Sequence, residues 1–98
     1  MHIQLIRFEL AEGQAEGLIA AVTGELEDWI ADLDGFVSAT FHAAEDGAVM
    51  VNYAEWRDTD AFQTFLDHPR QQTLHKAIGR FSPKTVTTDA LTVIRRID

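Results

Sequence analysis

The chain has 98 residues, an apolar fraction of 46% and a formal charge of −8; that length holds one small domain, residues 1–98, and the acidic balance repels phosphate backbones and so argues against a nucleic-acid role. The absence of cysteine excludes disulfides, thiolate nucleophiles and cysteine-ligated zinc or iron–sulfur sites. No stretch approaches the roughly 18 apolar residues of a membrane span and no signal peptide precedes the first apolar run, so a cytoplasmic location without membrane association is expected.

Ile3, Leu5, Ile6, Phe8 and Leu10 predict a buried strand over residues 2–10, closed by Ala11-Glu12-Gly13. Residues 14–33 follow as a helix, with Leu18, Val22, Leu26, Trp29, Ile30 and Leu33 at steps of three and four. Gly17 and Gly24 weaken that helix by about 1 kcal/mol each relative to alanine, which a close packing contact would explain. Asp34-Gly35 ends it, Gly35 suiting a left-handed cap. Residues 36–44 and 48–56 predict two strands joined at Asp46-Gly47, a strong tight-turn signal. Asp58 or Thr59 caps a second helix carrying Ala61, Phe62, Phe65 and Leu66. Pro69 breaks or restarts it, and Leu74 and Ile78 continue the apolar stripe to Gly79. Ser82-Pro83 leads into a last strand, Lys84–Arg96, interrupted around Asp89. The order strand–helix–strand–strand–helix–strand, with right-handed crossovers, gives a ferredoxin-like α+β fold whose helices cover one face of an antiparallel sheet.

Chemistry concentrates on the strand over residues 48–56. With a period of two, Asn52, Ala54 and Trp56 point to one face. An amide and an indole N–H buried together need partners, supplied by the fold or by a ligand. The other face carries Val49, Val51 and Tyr53 and is equally apolar, although a sheet covered on one side should show a polar second face. A second copy of the chain is its simplest cover, so a homodimer is expected. A two-residue turn at Asp46-Gly47 sets Phe41 opposite Asn52 and His42 opposite Val51, on the other face; a three-residue turn would bring His42 into the pocket. Trp29 fits the helix stripe and reads as core. His68 beside Pro69 reads as exposed, and His2, near the terminus, is uninformative. No Gly-rich phosphate loop, nucleophile elbow, metal-ligand helix motif or flavin or nicotinamide fingerprint is present.

Gly35-Phe36-Val37-Ser38-Ala39-Thr40, Asp46-Gly47, the Val51-Asn52-Tyr53-Ala54-Glu55-Trp56 strand, and Ala61-Phe62 with Pro69 beyond together resemble the antibiotic biosynthesis monooxygenase family, small dimeric α+β-barrel proteins. The nearest subgroup is the anthrone-oxidising monooxygenases of aromatic polyketide pathways. The resemblance is dense over residues 35–69 and topological elsewhere.

It implies oxidation of a polycyclic phenol or anthrone to a quinone with O2 and no metal, flavin or haem. Asn52 and Trp56 match the family's donor pair, aimed at the substrate oxygen. Phe41 and Phe62 stand where the subgroup has tyrosines, and Phe65 completes an aromatic wall. His75 stands in place of a second-helix arginine, as a cation or as a base, histidine being the side chain that titrates nearest neutrality. Two alternatives stay open. Related haem-degrading proteins carry an iron-ligating histidine near the position of His75, although this chain lacks their first-strand asparagine and has Phe65 near where they have tryptophan. The fold also serves non-catalytic small-ligand binders, in which Asn52 would be an ordinary hydrogen-bonder, Trp56 a core residue and His75 a surface residue.

Overall fold

The computed structural model describes residues 1–98. Its strands are β1 (His2–Glu9), β2 (Phe36–Ala43), β3 (Val49–Trp56) and β4 (Thr85–Leu91). They pair antiparallel in the order β2–β3–β1–β4, the ferredoxin-like arrangement the alternation predicts. Helix α1 (Ala15–Glu25) connects β1 to β2, and α2 (Thr59–Leu66) and α3 (Gln71–Gly79) connect β3 to β4. The core lies between helices and sheet, where Leu18, Val22, Met50, Trp56 and Leu74 are buried.

The first helix departs from expectation midway. After Glu25 the chain makes a π turn, Leu26–Ile30, closed by the Ala31 N–H donating to the Leu26 carbonyl at 2.9 Å. This one extra residue per turn buries both Trp29 and Ile30. Gly17 packs against Phe81: a β-carbon there would sit 2.7 Å from the ring, whereas nothing lies within 4 Å of the corresponding point on Gly24. The expected packing explanation therefore holds for Gly17 alone.

Two clasps fix the ends of the sheet. At one end the Gly13 N–H donates to the Asp46 carbonyl and the Ala15 N–H to the Gly47 carbonyl, each at 2.9 Å, so the β2–β3 loop is tied to the start of α1. Gly47 has φ +69, and a β-carbon on it would meet the Gly13 backbone. At the other end Gly35, at φ +88, accepts the Arg57 N–H at 2.7 Å, and Arg57 pairs with Asp34 at 3.0 Å. Asp58 caps α2, accepting the Ala61 N–H at 2.8 Å.

The hairpin register is as expected, Phe41 opposite Asn52 and His42 opposite Val51, but the turn differs. The Gly47 N–H bonds to the Ala44 carbonyl at 2.9 Å and the Ala44 N–H to the Val49 carbonyl at 3.0 Å. Glu45-Asp46 is thus the turn centre, inside a loop of residues 45–48. Four loop residues preserve the parity of two, so every side chain keeps its face. A bulge between Phe36 and Ser38 places Phe36 on the same face as Ala39.

The last strand is shorter than expected and uninterrupted, with Asp89 pairing with Leu5. On an edge strand a charged side chain can point to solvent without breaking the ladder. Residues 92–98 form no regular element. His68, expected to be exposed, is half-buried, stacked on Trp29 at 4.5 Å, and its Nδ1 accepts the Arg70 N–H at 3.1 Å. The chain turns back here beneath the π turn, and the imidazole caps the indole face. His42 is exposed on the face away from the helices, where Val49, Val51 and Tyr53 are half-buried.

Candidate functional site

Strand pairing arranges the helix-facing side chains in rows across the sheet. One row reads Ala43–Met50–Phe8–Val86, the next Phe41–Asn52–Ile6–Thr88, the next Ala39–Ala54–Gln4–Ala90, and the last Phe36–Trp56–His2. Above Asn52 and Trp56 lies an enclosed chamber of about 70 Å³, with Phe62 and Phe65 from α2 and Leu26 and Ile30 from the π turn among its walls. Of its 16 lining residues 14 are hydrophobic; the two polar ones are Gln4 and Asn52. Gln4 is satisfied by neighbours, its Oε1 lying 3.0 Å from His2 Nε2 and its Nε2 donating to Thr88 Oγ1. The Asn52 Oδ1 is buried with no partner. The fold does not pair this oxygen, and an unpaired buried amide oxygen costs about 1–3 kcal/mol.

Trp56 is 2% exposed. It stacks on Phe65 at 5.0 Å, meets Phe36 edge-on at 5.4 Å and Phe62 at 6.1 Å. An aromatic cage of this kind holds the indole in one orientation and offers faces for a flat ring to stack on.

The chamber opens toward a wider cleft of about 460 Å³, which shares Gln4, Ile6, Phe62 and Phe65 and adds Gln71, His75, Val86 and Thr88. The inner volume is below the roughly 300–1,000 Å³ of small-molecule sites, and the cleft is within it. The cleft is thus of small-molecule size and adjoins the chamber along the residues they share.

The structure brings Asn52, Trp56, Phe62 and Phe65 together. His75 is not with them: it is exposed on α3 and borders only the outer cleft. Phe41 shares the row of Asn52 but packs half-buried against the core and borders neither space. From the same strand β2, Phe36 and Ala39 line the chamber. Sequence reasoning missed Gln4, His2 and Thr88. Strand parity was the signal available for Gln4, since a period of two sets it with Ile6 and Phe8.

A haem would require the donor set to centre on an iron ligand. The single histidine of the cleft is on its exposed rim, while the unpaired amide and the caged indole lie in a space too small for a porphyrin. The unpaired Asn52 oxygen is an acceptor and suits a ligand hydroxyl, and no histidine that could hold an iron lines the chamber beside it.

The chain is an antiparallel ferredoxin-like α+β domain with two polar residues, Gln4 and Asn52, in an otherwise apolar chamber. The chain belongs to the antibiotic biosynthesis monooxygenase family, whose model matches residues 1–77. It is similar to a monooxygenase from the gene ActVA-Orf6 of Streptomyces coelicolor, solved in complex with nanaomycin D, with 28% identity and a TM-score of 0.87 over 98% of this chain and 89% of that one. SnoaB, a cofactor-independent oxygenase from Streptomyces nogalater, shares the fold at 24% identity and a TM-score of 0.80, covering 98% of this chain and 95% of that one. Tetracenomycin-F1 monooxygenase of Streptomyces glaucescens is 50% identical over 46 residues, 47% of this chain; the match spans only 41% of that relative's length.

Proposed function

We propose that the chain is a cofactor-independent monooxygenase that oxidises a polycyclic phenol or anthrone-like aromatic to a quinone with O2. The observation that carries this reading is the unpaired, buried Asn52 Oδ1 beside Trp56 in an aromatic chamber. The named activities of the similar proteins support it.

The reaction asks for a flat site, preorganised donors and exclusion of water. Loss of a proton turns the substrate into an electron-rich anion. Asn52 turns its amide about the terminal torsion to present an N–H to the anionic oxygen, and the Trp56 N–H is the second donor. The anion passes one electron to O2 and the radicals combine. One oxygen atom becomes the new quinone carbonyl; the other leaves as water with the two hydrogens of the oxidised methylene. The substrate supplies all the electrons, so the balance needs no further reductant. In this reading His75, on the cleft rim, meets the exposed edge of the substrate as base or cation. The active form is a homodimer in the cytoplasm, with Val49, Val51 and Tyr53 covered by the second copy.

The test is oxygen uptake by purified, metal-free protein with 1,8-dihydroxyanthrone. Quinone formation above the uncatalysed rate, unchanged by chelator, is expected. Turnover that appears only after haem or flavin is added would sink the mechanism.

A further inference from the structure

Gln4 is 8% exposed and is the polar residue shared by the chamber and the outer cleft. It stands in a row of alanines, Ala39, Ala54 and Ala90. Three short side chains in line make a low floor across the sheet, and the one long side chain in that row is an amide. A hydrophobic residue would serve packing there as well, as Ile6 and Phe8 do on the same strand.

The amide lies between two side-chain partners, His2 and Thr88. His2 stacks on Phe62 at 4.5 Å, the planes 18° apart; its Nδ1 lies 3.4 Å from Thr59 Oγ1 and its Nε2 3.0 Å from Gln4 Oε1. With Gln4 Oε1 accepting from His2, Gln4 Nε2 donates to Thr88 Oγ1. Thr88 accepts that bond, so its hydroxyl proton is free to donate. Thr88 lines the outer cleft. Asn52 and Thr88 occupy one row with Ile6 between them, two strands or about 9–10 Å apart.

We propose that Gln4 and Thr88 form a second polar anchor, held in orientation by His2, that selects flat aromatics carrying a second oxygen remote from the one Asn52 reaches. This rests on the aromatic-substrate reading above and adds to it the substrate class: an extended ring system with a phenol or carbonyl at each end. Gln4 and His2 act as positioning residues, and Thr88 makes the contact.

The test compares two probes by quenching of tryptophan fluorescence under nitrogen: anthraquinone, with a carbonyl on each of two opposite edges, and anthrone, with one. Wild type is expected to bind anthraquinone about fivefold more tightly, the scale of one neutral hydrogen bond. Thr88→Val, a mild change on an exposed edge strand, should bring the ratio below about twofold. Thr88→Ser should restore the ratio. Gln4→Leu and His2→Phe should lower it too, and in turnover should raise KM for a hydroxyanthrone whose hydroxyl lies on the edge opposite its carbonyl more than they lower kcat. If Gln4→Leu fails to fold, Thr88→Val decides. A wild-type ratio near one, or a full preference surviving in Thr88→Val, overturns the anchor and leaves the aromatic-ligand reading standing. No binding of either probe by wild type overturns both.

Discussion

A β-carbon placed on Gly35 would lie 2.4 Å from the β-carbon of Ala61. Gly35 also has φ +88, a conformation that penalises any side chain. Gly35→Ala should therefore destabilise the fold by about 2 kcal/mol or more, a fall in Tm of roughly 10 °C for a domain of this size. Gly24→Ala is the control: open space surrounds it, and the gain in helix propensity should stabilise by about 0.5–1 kcal/mol. Thermal denaturation of both variants checks the pair.

Asn52 separates stability from activity. Asn52→Ala should leave the fold intact and lower turnover by about 10²-fold or more, the scale of one lost oxyanion donor. Asn52→Leu removes the unpaired buried oxygen and should raise stability by about 1–3 kcal/mol while abolishing turnover. A lower Tm in both variants with no kinetic effect would make Asn52 a structural hydrogen-bonder.

His75 borders the cleft and not the chamber. His75→Ala should lower kcat/KM by about tenfold or less, below the effect of Asn52→Ala, because partly solvated groups contribute less than enclosed ones. Equal losses from the two variants, measured side by side, would move His75 into the reacting centre.

The half-buried Val49, Val51 and Tyr53 give the dimer its test. Light scattering at micromolar concentration should return twice the chain mass, and Val51→Arg should shift it toward one. A monomer at all concentrations would refute the two-copy arrangement.

Asp58 is held below the ordinary aspartate range, first by the Ala61 N–H and then by Arg57. Asp34 is lowered by Arg57, through its hydrogen bond first and its charge second. Both folded values are depressed, so their stabilisation is full above the unfolded value, about 3.9, and is lost as pH falls through the folded values. Asp58→Asn keeps an acceptor at the cap and removes the titration. Its Tm should lie below wild type near neutrality, decline less steeply in acid and converge with wild type there. An unchanged acid slope would show that the cap does not contribute to it.

Local chemistry made much of this fold legible. Asp46-Gly47 and the alternation of Val51-Asn52-Tyr53-Ala54 sufficed for the hairpin register, because a turn of two residues and a loop of four leave the same parity. The π turn was not legible: Leu26, Trp29 and Ile30 fit an α-helical stripe, and one extra residue in a turn leaves no mark in spacing that tolerates steps of three and four. The shared face of Asn52 and Trp56 was legible because parity on one strand is local. Phe41, expected as a wall, packs against the core and borders neither space; parity fixes the face of a side chain and not where the helices cross above it. Gln4 was missed because its partner Thr88 is 84 residues away, and His68 because its stack on Trp29 depends on a fold-back that Pro69 signals without aiming.

The two clasps have a consequence for traffic. Gly13 and Gly47 bind one end of the sheet to α1, and Gly35, Asp34 and Arg57 bind the other. Neither end can part without losing backbone hydrogen bonds. The β4 flank has no such tie: its residues are exposed along the whole strand, and Pro83, Val86 and Thr88 border the cleft. The cleft therefore opens between α3 and β4, and a ligand that enters from this side reaches the chamber without parting either clasp.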